Sequence, residues 1–324
     1  MSEAVAILTP EPEFRVDASC LAVRRANFPD EISFHMPGLK LHNTSEVKGS
    51  MTEFVSVSVT GSACALNCEH CQTKVLDGMV DLPASKLSLY ETCVNLANDG
   101  ARGVLISGGS DLKGRVPLKE HMKDLKRIRE ELGMVIRVHV GIPDEETCAA
   151  LGDIDIDGAM LDIIGDRDTI RDVYHLDRSP DDYEKALELL EKYSVPAIPH
   201  IIIGHYFGEM KGEWNALEMI QRHALKSLVL VILMPISGTP MAGVTPPELS
   251  EIGNFFQTAR LSMKQTPVML GCAKPLGPIK FQIDKLAVEA GLNGIAYPAD
   301  GIVSYSERIG LEPLYINACC GVTW

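Results

Sequence analysis

The stretch Phe54-Val-Ser-Val-Ser-Val-Thr60-Gly-Ser-Ala-Cys64-Ala-Leu-Asn-Cys68-Glu-His-Cys71 decides the reading of this chain. Its first seven residues alternate apolar and polar with period two, as in a strand with one face toward a core. The loop that follows carries three cysteines spaced Cys64-x3-Cys68-x2-Cys71. Three thiolates that close together can hold three irons of a [4Fe–4S] cube. Such clusters usually take four cysteines, and no other cysteine follows until Cys93. The fourth iron is then left open to a ligand. A structural zinc knuckle is the other reading of the same thiols. Zinc wants four ligands in a closed tetrahedral site, and the nearest candidate for a fourth, His70, lies between two of the cysteines.

At 324 residues the chain has room for one large α/β barrel or two modest domains. A hydrophobic content of 46% supports a full core, and the net charge of −14 argues against a nucleic-acid partner, which needs a basic face. No apolar run approaches the ~20 residues of a membrane span. The start, MSEAVAILTPEPEF, carries acids where a secretory signal needs positive charge, so no signal peptide is expected. Nine cysteines without such a signal fit a reducing cytosol, and a cytoplasmic location is expected.

Residues 1–50 read as an irregular N-terminal extension and 51–324 as a barrel with a C-terminal tail. Runs suited to strands are Phe54–Thr60, Val104–Ser107, Val135–Gly141, Ala159–Ile164, Ala197–Gly204, Leu228–Met234, Val268–Cys272 and Gly294–Tyr297. Helical patterns separate them. Ser88 and Glu91 form a candidate capping box, Leu118, Met122, Leu125 and Leu132 a stripe ending at Gly133, and Ser179-Pro180 a cap and first turn. Strands alternating with helices indicate a parallel sheet, and eight runs predict a complete (β/α)8 barrel of the TIM type.

Chemistry in such barrels gathers at the carboxyl ends of the strands. The cysteine loop follows the first predicted strand, Gly108-Gly109-Ser110 the second, and His139 ends the third. Asp162 lies near the end of the fourth, His200 and His205 around the fifth, and Cys272 with Lys274 at the seventh. Gly108-Gly109 would let backbone approach a ligand closely, with carbonyls open to an ammonium group. His70 offers a ring for stacking on a base. Cys319-Cys320 and Cys272 could meet if the tail folds over the barrel mouth, as a second iron–sulfur cluster or as packed thiols. Cys93 and Cys148 fall on helical patterns and read as core, whereas Cys20 in the lead fits either role.

The cysteine spacing resembles that of the radical SAM superfamily, and nearly the full chain looks like a biotin-synthase-like member. Cys64-Ala-Leu-Asn-Cys-Glu-His-Cys71, Gly103-Val-Leu-Ile-Ser-Gly-Gly-Ser110, Leu233-Met-Pro-Ile-Ser-Gly-Thr-Pro240, Gly271-Cys-Ala-Lys-Pro275 and Cys319-Cys320 resemble a subunit of the two-protein lipoyl synthase of archaea and some bacteria. The resemblance implies that S-adenosylmethionine chelates the open iron through its amino and carboxylate groups, and that its reduction releases a 5′-deoxyadenosyl radical. Gly108, Gly109 and Ser110 match a GGE-type segment for the methionine amino group, with Ser110 in place of the acid, and Asp162 is taken as a further cofactor contact. His70 matches the position beside adenine. Arg178, with Arg171 and Arg167 as alternatives, matches an arginine that pairs with the methionine carboxylate.

The implied reaction inserts sulfur into an octanoyl chain on a lipoyl-carrier protein. Its partners would be a second radical SAM subunit and an electron donor such as ferredoxin or flavodoxin, with sulfur from an auxiliary cluster at Cys272, Cys319 and Cys320 or from the partner subunit. An apolar mouth that admits the acyl arm is expected. A carbon-skeleton rearrangement, maturation of an organometallic cofactor, or a subunit that mainly presents a cluster are the competing readings.

Overall fold

The computed structural model describes residues 14–322. The acidic start falls mainly on residues 1–13, outside the described residues.

Each of the eight apolar runs forms a strand, because a parallel strand buried on both faces must be apolar nearly throughout. With three strands outside those runs, the order is β1 (Glu31–His35), β2 (Phe54–Ser58), β3 (Val80–Asp81), β4 (Gly103–Ser107), β5 (Val135–His139) and β6 (Gly158–Asp162). Then come β7 (Ala197–Ile203), β8 (Leu228–Ile232), β9 (Val268–Leu270), β10 (Gly294–Ala296) and β11 (Glu312–Ile316). All pairings are parallel, in the order β11-β1-β10-β9-β8-β7-β6-β5-β4-β2-β3. Most strands stop short of the predicted ends, because their last apolar residues already turn into loops at the carboxyl edge.

The helix signals have a structural basis. Ser88 and Glu91 exchange side-chain-to-backbone bonds at the start of the helix Leu89–Asn98, and Ser179 with Asp182 does the same ahead of Pro180–Lys192. The stripe from Met122 ends at Gly133, whose φ of +62° stops the helix.

The α/β class and the run of eight consecutive parallel strands hold, but the ring is not closed by strand pairing. Between β10 and β2 the order is interrupted: β10 pairs with β1, β1 with β11, and the sheet ends at β11 on one side and β3 on the other. The lead read as irregular therefore supplies the helix Ser19–Asn27 and a strand of the sheet. Side chains bridge the seam. Asn317 Nδ2 donates to Glu53 Oε1 at 2.7 Å, and the Ser50 N–H donates to Asn317 Oδ1 at 3.1 Å.

Alternation along the strands sorts two apolar clusters. Val57, Val104, Ile106, Ile136, Val138, Ile201, Leu228 and Leu230 face the helices. Phe54, Leu105, Met160, Ile198, Val229 and Met269 face the interior, where Ala318, Cys319, Cys320 and Val322 pack onto them. The tail thus enters the curled sheet and does not cover its mouth. Arg137 of β5 secures it, donating from Nη2 to the Gly321 carbonyl at 2.9 Å and from Nη1 to the Asp157 carbonyl at 2.6 Å. Gly158 makes room for that guanidinium, since a Cβ there would lie 2.0 Å from Nη1. Among the described residues no helix is long and apolar enough to cross a membrane.

At the carboxyl end of β9 lies a buried ion pair. Lys274 Nζ is 2.5 Å from Asp284 Oδ1, with the two side chains 1% and 0% exposed. The Ala299 N–H completes the carboxylate at 2.7 Å. Removing one partner strands a charge in the interior, whereas replacing both leaves only the partly exposed Lys280 without its carboxylate neighbour. Asp284→Asn is therefore expected to cost about 3–5 kcal/mol in urea unfolding, and the Lys274→Met/Asp284→Leu pair to recover most of it. A single variant as stable as the parent would show that water screens this pair.

Candidate active site at the carboxyl ends of the strands

The cysteine loop runs from Thr60 at the end of β2 and is tied to the loop after β4. The Ser110 N–H donates to Cys64 Sγ at 3.3 Å, the Ala65 N–H to the Ser110 carbonyl at 2.8 Å, and the Gly109 N–H to Thr60 Oγ1 at 2.7 Å. Glycine is obligatory at 109: a Cβ would stand 2.1 Å from the Ala63 carbonyl oxygen and 2.5 Å from Cys64 Cβ. Gly108 has Thr60 Oγ1 and Val59 at 3.1 Å from the same position.

The loop itself is strained. Asn67, Gln72 and Thr73 have φ of +50°, +42° and +65°, and they bracket Cys68 and Cys71. Non-glycine residues hold such angles only where their surroundings impose them, most often at functional sites. Cys68 is buried, and Cys64 and Cys71 are half-buried. Donation by the Cys68 thiol, aided by His70, holds Cys71 well below the usual thiol range and pushes Cys68 up. Among the described residues no three His, Cys, Asp or Glu side chains converge on a single metal-ion position. The three thiols spread around their loop, one partly turned toward thiolate, are a donor set that fits a multi-iron cluster.

Beside this loop lies a ring cluster. His70 Nδ1 faces His205 Nε2 at 3.3 Å, and the His70 ring centroid is 4.7 Å from that of His205 and 5.3 Å from that of Tyr174. The Tyr174 hydroxyl donates to Asp162 Oδ2 at 3.3 Å. Burial raises both Asp162 and Tyr174 and lowers His205, so each favours its neutral form. The loop that carries His205 is anchored by Glu213, whose carboxylate accepts from the N–H groups of Gly204, His205 and Gly212 at 2.8, 3.2 and 3.0 Å. A second tie joins the cysteine loop to the segment after β6: the Glu69 N–H donates to the Val173 carbonyl at 2.9 Å.

Further inside, His139 Nδ1 is 2.9 Å from Ser107 Oγ, and the rings of His139 and His200 stand 6.2 Å apart. Burial pushes His139 down to about 4 and His200 to about 3. The expected apolar mouth is therefore mixed, with Ser107, His139 and His200 beside Ile202, Cys272 and Ala273. Cys319 and Cys320 share the interior with Cys272, whose proximity makes both harder to ionise, but burial in the apolar cluster is the larger cause. It pushes Cys319 up to about 12.

Sequence positions from most of the predicted strand ends thus meet at one mouth. His70, Gly108, Gly109, Ser110 and Asp162 gather around the cysteine loop. Arg178 pairs with Asp182, Nη1 to Oδ1 3.4 Å, at the start of the helix Pro180–Lys192. Arg171 is engaged elsewhere, pairing at the surface with Asp168 at 2.9 Å and Asp172 at 2.6 Å, and Arg167 is exposed. Sequence reasoning gave no role to Thr60, which holds Gly109, or to Tyr174, which joins Asp162 to the ring cluster. A polar residue closing the first strand was the available signal for Thr60.

Two outcomes follow from this geometry. Gly109→Ala should at least halve the iron bound after anaerobic reconstitution while circular dichroism stays native. Gly243→Ala is the control, because a Cβ there meets nothing within 4 Å. Unaltered iron in Gly109→Ala would sever the packing argument from the cysteine loop. For the histidines, the folded state binds fewer protons than the unfolded one below about pH 6.5. Stability should then fall as pH drops from about 6.5 toward 4, by up to about 1.4 kcal/mol per pH unit for each histidine. The His139→Gln/His200→Gln variant should show a shallower slope in acid unfolding, and an identical slope would place the titration elsewhere.

No family model matches the chain. In sequence it is similar to biotin synthase of Chlorobium phaeobacteroides (strain BS1), at 25% identity over 255 residues that cover 76% of this chain and 74% of that one. In structure it is similar to methylornithine synthase, with a TM-score of 0.60 at 16% identity over 92% of this chain and 88% of that one. It is also similar to HydG, a maturase of the [FeFe]-hydrogenase, with a TM-score of 0.62 at 13% identity over 86% of this chain and 59% of that one. The structural likenesses speak for the fold, and the sequence likeness runs over three quarters of the chain. The chain is thus similar in sequence to a biotin synthase and shares its fold with these solved structures.

Proposed function

We propose that the chain is a radical SAM enzyme that holds a [4Fe–4S] cluster on Cys64, Cys68 and Cys71 and takes S-adenosylmethionine beside it. The observation that carries this reading is the tie between the cysteine loop and the Gly108–Ser110 segment, made by the Ser110 N–H on Cys64 Sγ. A cluster held by these thiols would supply one-electron reduction of the sulfonium. The chain's residues bind and orient. Gly108 and Gly109 bring backbone against the loop, His70 offers its ring to the adenine, and Arg178 offers its guanidinium to the carboxylate. Asp162, whose carboxyl burial pushes up and which accepts from the Tyr174 hydroxyl, adds a polar contact.

For the substrate, we propose sulfur insertion into an octanoyl chain on a carrier protein, with a second radical SAM subunit and a ferredoxin- or flavodoxin-type donor. The gathering of Cys272, Cys319 and Cys320 in the interior supports a sulfur source within the chain. One observation favours the other reading, a radical reaction without sulfur transfer: burial among apolar side chains keeps Cys319 and Cys320 protonated.

Iron, sulfide and 5′-deoxyadenosine measured on the parent and on the Cys64→Ala/Cys68→Ala/Cys71→Ala variant separate these readings. The parent should form 5′-deoxyadenosine under reduction and the variant should lose it. Loss of neither would sink the cluster assignment. About four irons left in the variant, as one cube requires, would support an auxiliary cluster. Iron near zero would remove it from this chain and favour chemistry without sulfur transfer or a donor on the partner.

A further inference from the structure

Apart from the cysteine loop, the rim of the sheet holds a cavity of about 350 Å³, within the usual range for small-molecule pockets. Three segments wall it: one after β1, one after β9 and one after β10. They contribute Lys40, His42, Lys280, Tyr297 and the first turn of the helix Ile279–Glu289. β9 and β10 are the seventh and eighth of the consecutive strands. The loops that follow those strands are a frequent phosphate site in eight-stranded α/β barrels.

Charge is out of balance there. The Lys280 side chain is 13% exposed, and its carboxylate neighbour, Asp284 at 3.8 Å, is already bonded by Lys274 and the Ala299 N–H. One buried carboxylate thus serves two ammonium groups. Burial, with Lys274 adding to it, pushes Lys280 down to about 8. Lys40 Nζ stands 4.5 Å over the Tyr297 ring in the same wall. The remaining acid of the wall, Asp300, spends Oδ1 on the Ser45 N–H and hydroxyl at 2.9 and 2.6 Å. His42 Nε2 is taken by the Pro298 carbonyl at 2.8 Å. The helix adds its N-terminal end, which favours an anion, although the Lys280 N–H of its first turn already donates to the Gly277 carbonyl at 3.1 Å.

We propose that this cavity binds the anionic group, phosphate or carboxylate, of a small molecule, gripped by Lys40, Lys280 and the first turn of the helix Ile279–Glu289. The lining segment 276–281 follows Cys272 after β9, which places the site beside the barrel mouth. No wall residue comes from the cysteine loop, so anion binding stands or falls independently of the radical reading.

Calorimetric titration of the full chain with inorganic phosphate and, separately, acetate tests it, with no cluster or turnover needed. Saturable binding of either ion, weakened roughly tenfold or more in both Lys40→Gln and Lys280→Gln, is expected, since each removes a charge-assisted contact. Preference for phosphate marks a phosphorylated ligand, and preference for acetate a carboxylate. Saturable binding that neither variant weakens overturns the proposal, as does failure of both ions to saturate well above about 1 mM. Lys40 is exposed, so Lys40→Gln should unfold like the parent and keeps the test decisive even if Lys280→Gln is unstable.

Discussion

The hydrogen bonds by which Ser110 grips the cysteine loop, N–H to Cys64 Sγ and carbonyl from the Ala65 N–H, set the geometry on which the site depends. They join the loops after two neighbouring strands, β2 and β4, whose register is fixed by five consecutive parallel pairs. The approach is so close that position 109 has no space for a side chain. A loop with three residues at positive φ would relax if it were free, and this contact, with the tie to Val173, holds it in place. The strain around Cys68 and Cys71 is thereby carried by the rigid sheet.

The open sheet changes what the interior can be. A closed barrel fills its centre with side chains from its own strands. Here the seam admits the segment after β11, and Ala318 to Val322 supply part of that filling. Arg137 can be tolerated in the interior because the Asp157 and Gly321 carbonyls take its two terminal nitrogens. The tail is thus a structural part of the interior as well as the bearer of two thiols. Histidines line the space near it, and burial keeps His35, His139 and His200 neutral near pH 7, so they add polarity without charge.

Electrostatics differ sharply between the whole chain and its rim. A net charge of −14 describes the surface at large, yet Lys40 after β1 meets Lys274 and Lys280 after β9. Bulk charge speaks to long polymers that cover a face. It says little about a cavity in which two or three side chains meet a single ligand.

The local sequence determined the strands, the caps and the cysteine loop. Each is a short-range pattern: apolar runs buried on both faces, Ser88 with Glu91 at a helix start, and thiols spaced along one turn of loop. β1 stayed hidden because Glu31–His35 is short, and its partners, β10 and β11, lie at the far end of the chain. Thr60, Tyr174 and His205 gained their roles only when separate strand ends came together, as did Lys40 and Lys280. Whether the ring closed, and where Cys319 and Cys320 came to rest, was decided by tertiary structure alone. Those outcomes depend on which distant surfaces bury each other, and burial is a property of the assembled fold that no local pattern encodes.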